Sequence, residues 1–201
     1  MPPKTRITED MIIEAAVRVA RRDGYEQINA RTVARELGCS TQPVMYHFST
    51  IDSLKRAAFA RADQLHGEYL MRVSPGVDPV LSIGLQYIRF AVEEPQLFRF
   101  LFQSGFVQEN SLMDMIRSEA LEPVLSVMRE SAGLDAEQTR AVFLTVAMFA
   151  HGYASIIANN GLTFDETLIA EHLTLAWRGA VLAARQEKDD ESDHSRPGEP
   201  L

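Results

Sequence analysis

Between Leu37 and Ile51 the chain carries no Asp, Glu, Lys or Arg, yet it is dense in side chains that make directional hydrogen bonds. Gln42 can pair with adenine through two hydrogen bonds, and the hydroxyls of Thr41 and Tyr46 can serve a base edge or a phosphate. His47, at the end of the same run, is placed to donate to a phosphate. Attraction to the phosphates then falls to Arg31, Arg35 and Lys55, with Lys4 and Arg6 as an N-terminal arm. The chemistry this pattern suits is recognition of DNA. Cys39 is the only cysteine. With no basic neighbour to activate it, it reads as a small turn residue rather than a redox sensor.

Catalytic patterns are missing by comparison. The chain has no glycine-rich phosphate loop and no nucleophile elbow. A di-metal centre in a helical bundle needs Glu-x-x-His pairs from two helices, which the chain does not supply. The sequence therefore predicts no enzyme activity, no metal and no cofactor.

The elements that must position the reading residues are two short helices at 30–37 and 41–48, joined by Gly38-Cys39-Ser40. That is the spacing of a helix-turn-helix, whose second helix enters the major groove. Asn29 is a good N-cap for the first, and Gly38 ends it by adopting the left-handed conformation at low cost. Pro43 is tolerated because it falls in the first turn of the second, where its missing N–H has no intrahelical partner. With Val44 and Phe48 turned inward, the helical step places Gln42 and Tyr46 on the outward face. A longer helix precedes the pair, with Thr8 as N-cap, Arg21 and Arg22 in its last turn and Gly24 beyond. Further helices are expected at 52–72, 78–93, 95–103, 109–131, 136–159 and 164–185, from apolar residues at three- and four-residue spacing. No segment alternates as a strand would, so the fold class is all-α.

Composition agrees with a folded chain: 46% of its 201 residues are hydrophobic and 24% charged. The net charge of −8 argues against indiscriminate nucleic-acid binding. It is unevenly spread, since residues 1–56 hold nine Lys/Arg against seven Asp/Glu and acid gathers beyond them. One cysteine and no signal-peptide pattern point to the cytoplasm. The longest apolar stretch, 141–158, includes Thr145, His151, Gly152, Tyr153 and Ser155 and lacks flanking basic clusters, so no membrane association is expected. Residues 186–201, rich in Asp and Glu with Pro197 and Pro200, read as a disordered acidic tail.

The run Asn29-Ala30-Arg31-Thr32-Val33-Ala34-Arg35-Glu36-Leu37-Gly38-Cys39-Ser40, then Val44-Met45-Tyr46-His47-Phe48 and Asp52-Ser53-Leu54, resembles the N-terminal signature of the tetracycline-repressor (TetR/AcrR) family of bacterial regulators. The likeness spans residues 8–56 and includes the Gly24-Tyr25 ending of the first helix. It implies a three-helix DNA-binding domain (1–54) on a six-helix ligand-binding and dimerising domain (55–185). The implied function is a ligand-responsive regulator, a repressor released from a palindromic operator by a small, largely apolar molecule. The alternative is a helical ligand-binding or interaction module without specific DNA binding. DNA contacts are carried onto Arg31, Thr32, Ser40, Thr41, Gln42, Met45, Tyr46, His47 and Thr50. The family commonly has a tyrosine where Met45 stands and a lysine where Ile51 stands. One hydroxyl and one phosphate contact are thus absent, with Ser49 and Thr50 as partial replacements.

In the second half, aromatic side chains suggest a pocket for a bulky apolar ligand between the 78–106 helices and the 136–159 helix. The candidates are Phe90, Phe98, Phe102, Phe106 and Phe143, with His151 and Tyr153 as polar groups to orient it. Small residues at Ala147, Ala150, Ala154 and Ala158 form one helical seam, and Ile169, Leu173, Ala176, Ala180 and Ala183 another. Leu168, Leu175, Val181 and Leu182 add apolar surface on a different side of the last helix. A two-fold homodimer through helices 136–159 and 164–185 follows.

Overall fold

A computed structural model describes residues 7–73, 76–107 and 111–194, and among them every regular element is helical. The ten α-helices are α1 (Glu9–Asp23), α2 (Ala30–Leu37), α3 (Thr41–His47), α4 (Ile51–Leu70), α5 (Pro79–Glu93), α6 (Pro95–Phe102), α7 (Leu112–Ile116), α8 (Glu122–Ala132), α9 (Ala136–Asn160) and α10 (Glu166–His194). They divide into two compact units, one of residues 1–69 with 90–108 and the other of 70–89 with 109–201. This division does not follow the boundary at residue 54, because α4 and α6 pack with the N-terminal helices.

In the first unit, Ile12, Ala16, Val19 and Ala20 of α1, Val33 and Ala34 of α2 and Val44 of α3 are buried, and the three helices pack on one another. Leu54, Ala58 and Ala62 form a buried stripe on α4 at four-residue spacing, which His66 continues. Leu97, Phe98, Phe100 and Leu101 of α6 are buried in the same unit. In the second unit, Val80 and Ile83 of α5, Val124 and Met128 of α8, Val142 of α9 and Val181 and Ala184 of α10 make the core. A Cβ on Gly84 of α5 would stand 3.2 Å from Leu173 Cδ1, so the small residue permits this close approach to α10.

The single helix expected at 109–131 is instead α7, a 3-10 turn at Glu119–Leu121 and α8. Pro123 is the reason: inside a continuous helix its ring would strike the carbonyl of Glu119, whereas near the start of α8 it costs nothing. Part of the expected acidic tail is helical as well. The α10 helix runs to His194 instead of stopping at 185, since no Gly or Pro interrupts the chain before Pro197. Residues 195–201 lie outside the described residues.

His66 sits between aromatic rings, with centroids 4.9 Å from Phe90 and 5.2 Å from Phe102. Burial lowers its pKa from 6.5 to about 4. Between those values the unfolded chain takes up a proton that the folded chain refuses, so stability is intact above pH 6.5 and falls as the pH drops to 4. The loss from this one group is on the order of 3 kcal/mol. In urea unfolding at pH 7 and pH 4.5, His66→Phe should lose clearly less stability than the wild type. An equal loss in both proteins assigns acid sensitivity to other groups.

Candidate nucleic-acid interface

The geometry of α2 and α3 is set by local chemistry at each end. Asn29 Oδ1 accepts from the amides of Arg31 (3.0 Å) and Thr32 (3.1 Å), and Thr32 Oγ1 accepts from the Asn29 amide at 3.1 Å, closing a capping box. Gly38 lies in the left-handed region at φ 66°, ψ 30°. There its amide reaches the Arg35 carbonyl (3.2 Å) while the Cys39 amide reaches that of Ala34 (3.0 Å), which turns the chain sharply into α3. Charge then locks α2 onto α1: Glu36 accepts from Arg18 Nε and Arg22 Nη1, each at 2.9 Å. These two cations hold the Glu36 carboxyl below its usual range.

On α3, Val44 is fully buried and Phe48 beyond its end is buried, as the spacing required. Thr41 and Gln42 are exposed on α3, with Met45 44% and Tyr46 82% exposed, and Ser40 is exposed just before it. Half-buried His47 packs edge-on against Tyr46, centroids 5.3 Å apart, and its Nδ1 lies 3.9 Å from Glu9 Oε2. Thr50 caps α4, its hydroxyl oxygen accepting from the Ser53 amide at 3.0 Å. The structure thus gathers Ser40, Thr41, Gln42, Met45 and Tyr46 on one surface.

Thr32 differs in kind from these. Its hydroxyl donates to the Gln27 carbonyl at 2.6 Å besides closing the cap, so the side chain is committed to holding α2. Lys4 and Arg6 lie outside the described residues. Among the cations, Arg31 and Arg35 are exposed on α2. Lys55 instead points its ammonium at the Tyr25 ring, 5.8 Å from the centroid, and Arg56 pairs with Asp52 at 2.8 Å.

Sequence reasoning missed a second support. Tyr25 stacks on Phe100 of α6, centroids 5.1 Å apart and planes 5° from parallel. Phe59 of α4 meets Phe100 edge-on at 5.5 Å, and Phe106 meets Tyr25 at 6.0 Å. Arg21 of α1 adds an ion pair with Glu94 at 2.9 Å. The signal was present in Gly24-Tyr25, since Gly24 at φ 94° swings the aromatic residue out of line with α1.

The aromatic residues considered for a ligand pocket separate accordingly. Phe90, Phe98, Phe102 and Phe106 belong to the first unit, where Phe90 and Phe102 enclose His66, Phe98 packs on Phe102 and Phe106 joins the Tyr25 cluster. Phe143 packs on the core of the second unit. There His151 Nδ1 lies 2.8 Å from Tyr87 Oη and its Nε2 3.2 Å from Ser155 Oγ, while Tyr153 Oη lies 2.8 Å from His172 Nδ1. Burial lowers the His151 pKa and raises that of Tyr87. A cavity of about 320 Å³ in the second unit is lined by Val80, Leu81, Val146, Leu173 and Trp177 together with polar Asp78, Thr174 and Arg178. None of the seven pocket candidates lines it.

The tetracyclin repressor-like C-terminal domain family matches residues 80–177. An uncharacterised helix-turn-helix regulator of Bacillus subtilis, YobS, is 20% identical over 89% of this chain and 93% of its own. The nicotine-responsive repressor HdnoR of Paenarthrobacter nicotinovorans is 39% identical over 73 residues, 36% of this chain and 38% of its own. Among solved structures, a TetR-family regulator from Streptomyces coelicolor superposes with a TM-score of 0.68 over 90% of this chain and 83% of its own, at 16% identity. The multidrug binding protein EbrR, complexed with imidazole, gives 0.51 over 83% and 93% at 21% identity. These structural likenesses establish the fold.

The capping box makes a direct prediction. Asn29→Ala should cost about 1 kcal/mol of stability in urea unfolding, and Asn29→Asp should restore most of it. An Ala variant as stable as the wild type removes this cap from the supports of α2.

Proposed function

We propose that the chain is a member of the TetR family of helix-turn-helix transcriptional regulators and acts as a homodimeric repressor released from its operator by a small, largely apolar molecule. The observation that carries this reading is the outward face of α3. Thr41, Gln42, Met45 and Tyr46 stand exposed there while Val44 and Phe48 anchor the helix from behind. Exposed Arg31 and Arg35 on α2 supply phosphate contacts that position this face in a groove. The functional boundary at residue 54 separates the groove-reading helices from the rest, even though α4 and α6 stabilise them.

Dimerisation is supported by what α9 and α10 leave uncovered. Ala150, Ala154, Ile169, Leu173 and Val181 are buried within the chain. Leu168, Leu175 and Leu182, seven residues apart on α10, and Met148 and Ile156 on α9 are exposed. A leucine stripe at heptad spacing suits an intersubunit helix seam. Apolar exposure of this extent on a chain that also carries 24% charged residues argues for a partner, and a second copy offers the matching surface. Two reading helices held about 34 Å apart would meet successive turns of DNA on one face.

For the effector, support comes from the cavity beside Gly84 and Trp177, which mixes apolar walls with Asp78, Thr174 and Arg178, and from the nicotine-responsive relative. An effector that favours a different spacing of the reading helices lowers operator affinity, and DNA weakens its binding by the same factor.

The deciding experiment is fluorescence anisotropy on duplex DNA from upstream of the protein's own gene and on a shuffled control, across a salt series. Tight binding to the first alone is expected, and Arg31→Ala should weaken binding to every duplex and reduce the salt slope by about one. Equal weak binding to both duplexes, with no duplex preferred in a wider selection, overturns the regulator reading in favour of an interaction module. For the seam, Leu175→Glu should convert a dimer to monomer in sedimentation at micromolar concentration, and because the residue is 72% exposed in the single chain the variant should keep the wild-type unfolding midpoint. A dimer that persists places the interface elsewhere.

A further inference from the structure

The reading face of α3 has a composition that selects among base pairs. Guanine is read above all by Arg or Lys on its O6 and N7, and cytosine by a carboxylate accepting from its amino group. Neither kind of side chain occurs between Leu37 and Ile51, and the exposed cations Arg31 and Arg35 sit on α2. What the face offers is an amide, hydroxyls and a thioether. Met45 is 44% exposed although the apolar stripe of α3 is already complete with Val44 and Phe48. An apolar side chain aimed at solvent from a groove-reading helix has one distinctive target in the major groove, the C5 methyl of thymine.

Gln42 and Met45 are three residues apart and so share a face, their Cβ atoms about 5–6 Å from each other. Base pairs rise about 3.4 Å, so the two side chains meet pairs that are adjacent or one further apart. We propose that Gln42 and Met45 form a two-residue reader of A·T pairs, Gln42 hydrogen-bonding adenine N6 and N7 while Met45 packs on a thymine methyl one or two pairs away. The inference rests on the regulator reading above and adds the base class that each half-site must present. Because neither side chain is charged, this selectivity is independent of salt, in contrast to the contacts made by Arg31.

The test uses the full chain and starts with selection of duplexes from a random library. Each thymine of the selected half-site is then replaced by deoxyuridine, which pairs identically and lacks only the methyl. Wild-type protein should lose about fourfold in affinity at one thymine per half-site, the worth of one buried methyl group. Met45→Ala should show no response at that thymine, and Met45→Leu should keep it. At an adenine one or two pairs away, 7-deazaadenine, which lacks the N7 acceptor, should weaken the wild type and leave Gln42→Ala unaffected. Both residues are exposed, so the variants should unfold at the wild-type midpoint. The proposal is overturned if deoxyuridine is neutral throughout for the wild type, if Met45→Ala responds as the wild type does, or if the selected half-sites carry G·C where these residues bind. Those results leave a sequence-specific regulator standing, whereas a library with no enriched sequence overturns the regulator reading itself.

Discussion

A helix of seven residues does not hold itself together in water, because nucleation costs more than so few hydrogen bonds return. The α3 helix exists because Val44 and Phe48 are buried against a surface prepared by α1 and α2, and that burial fixes which way every other side chain on it points. The outward direction of Gln42, Met45 and Tyr46 is therefore a consequence of packing on the opposite side. The surface beneath is made rigid by devices of short range: the Asn29–Thr32 capping box, the left-handed Gly38 and the Glu36 carboxylate held by Arg18 and Arg22. Each acts within a few residues or across one helix pair. Together they leave α3 a single seat.

Three helices, two of them short, make a small core, and small cores are hard to stabilise because too much of their surface stays in water. The first unit answers this by recruiting α4 and α6. The parallel stacking of Tyr25 on Phe100, with Phe59 and Phe106 edge-on around it, adds a second apolar layer behind α1. Ring edges facing ring planes suit the aromatic quadrupole, so the cluster contributes more than its buried area alone. Arg21 with Glu94 and Arg61 with Glu14 tie the same helices at the rim. These rim pairs matter more for orientation than for stability.

The second unit handles its polar groups differently. His151, Tyr87 and Ser155 satisfy one another inside a largely apolar helix packing, which explains how α9 carries a histidine within a run apolar enough to span a membrane by length and composition. The α10 helix shows two apolar faces. Ile169, Leu173 and Val181 face inward, and Leu168, Leu175 and Leu182 remain in the open. Small residues along α9 and Gly84 on α5 let backbones approach closely, and beside that approach the cavity at Trp177 opens.

What the sequence determined by itself is whatever depends on neighbours in the chain. Thr8, Asn29 and Gly38 mark helix ends because capping is completed within five residues, and the period of Val44 and Phe48 sets the faces of α3. Pro123 carried the break between α7 and α8 in the same local way, though the apolar spacing across it suggested one helix. Tertiary structure alone decided where side chains of equal hydrophobicity went. Nothing in the types of Phe98, Phe102 and Phe106 distinguishes a ligand wall from a core, and their partners Tyr25, Phe59 and His66 lie more than thirty residues away in sequence. It likewise decided that Thr32 holds α2, that Lys55 covers Tyr25, and that Val181 turns inward while Leu182 turns out. Burial is a property of the assembled surfaces, so these assignments appear only once the helices have found one another.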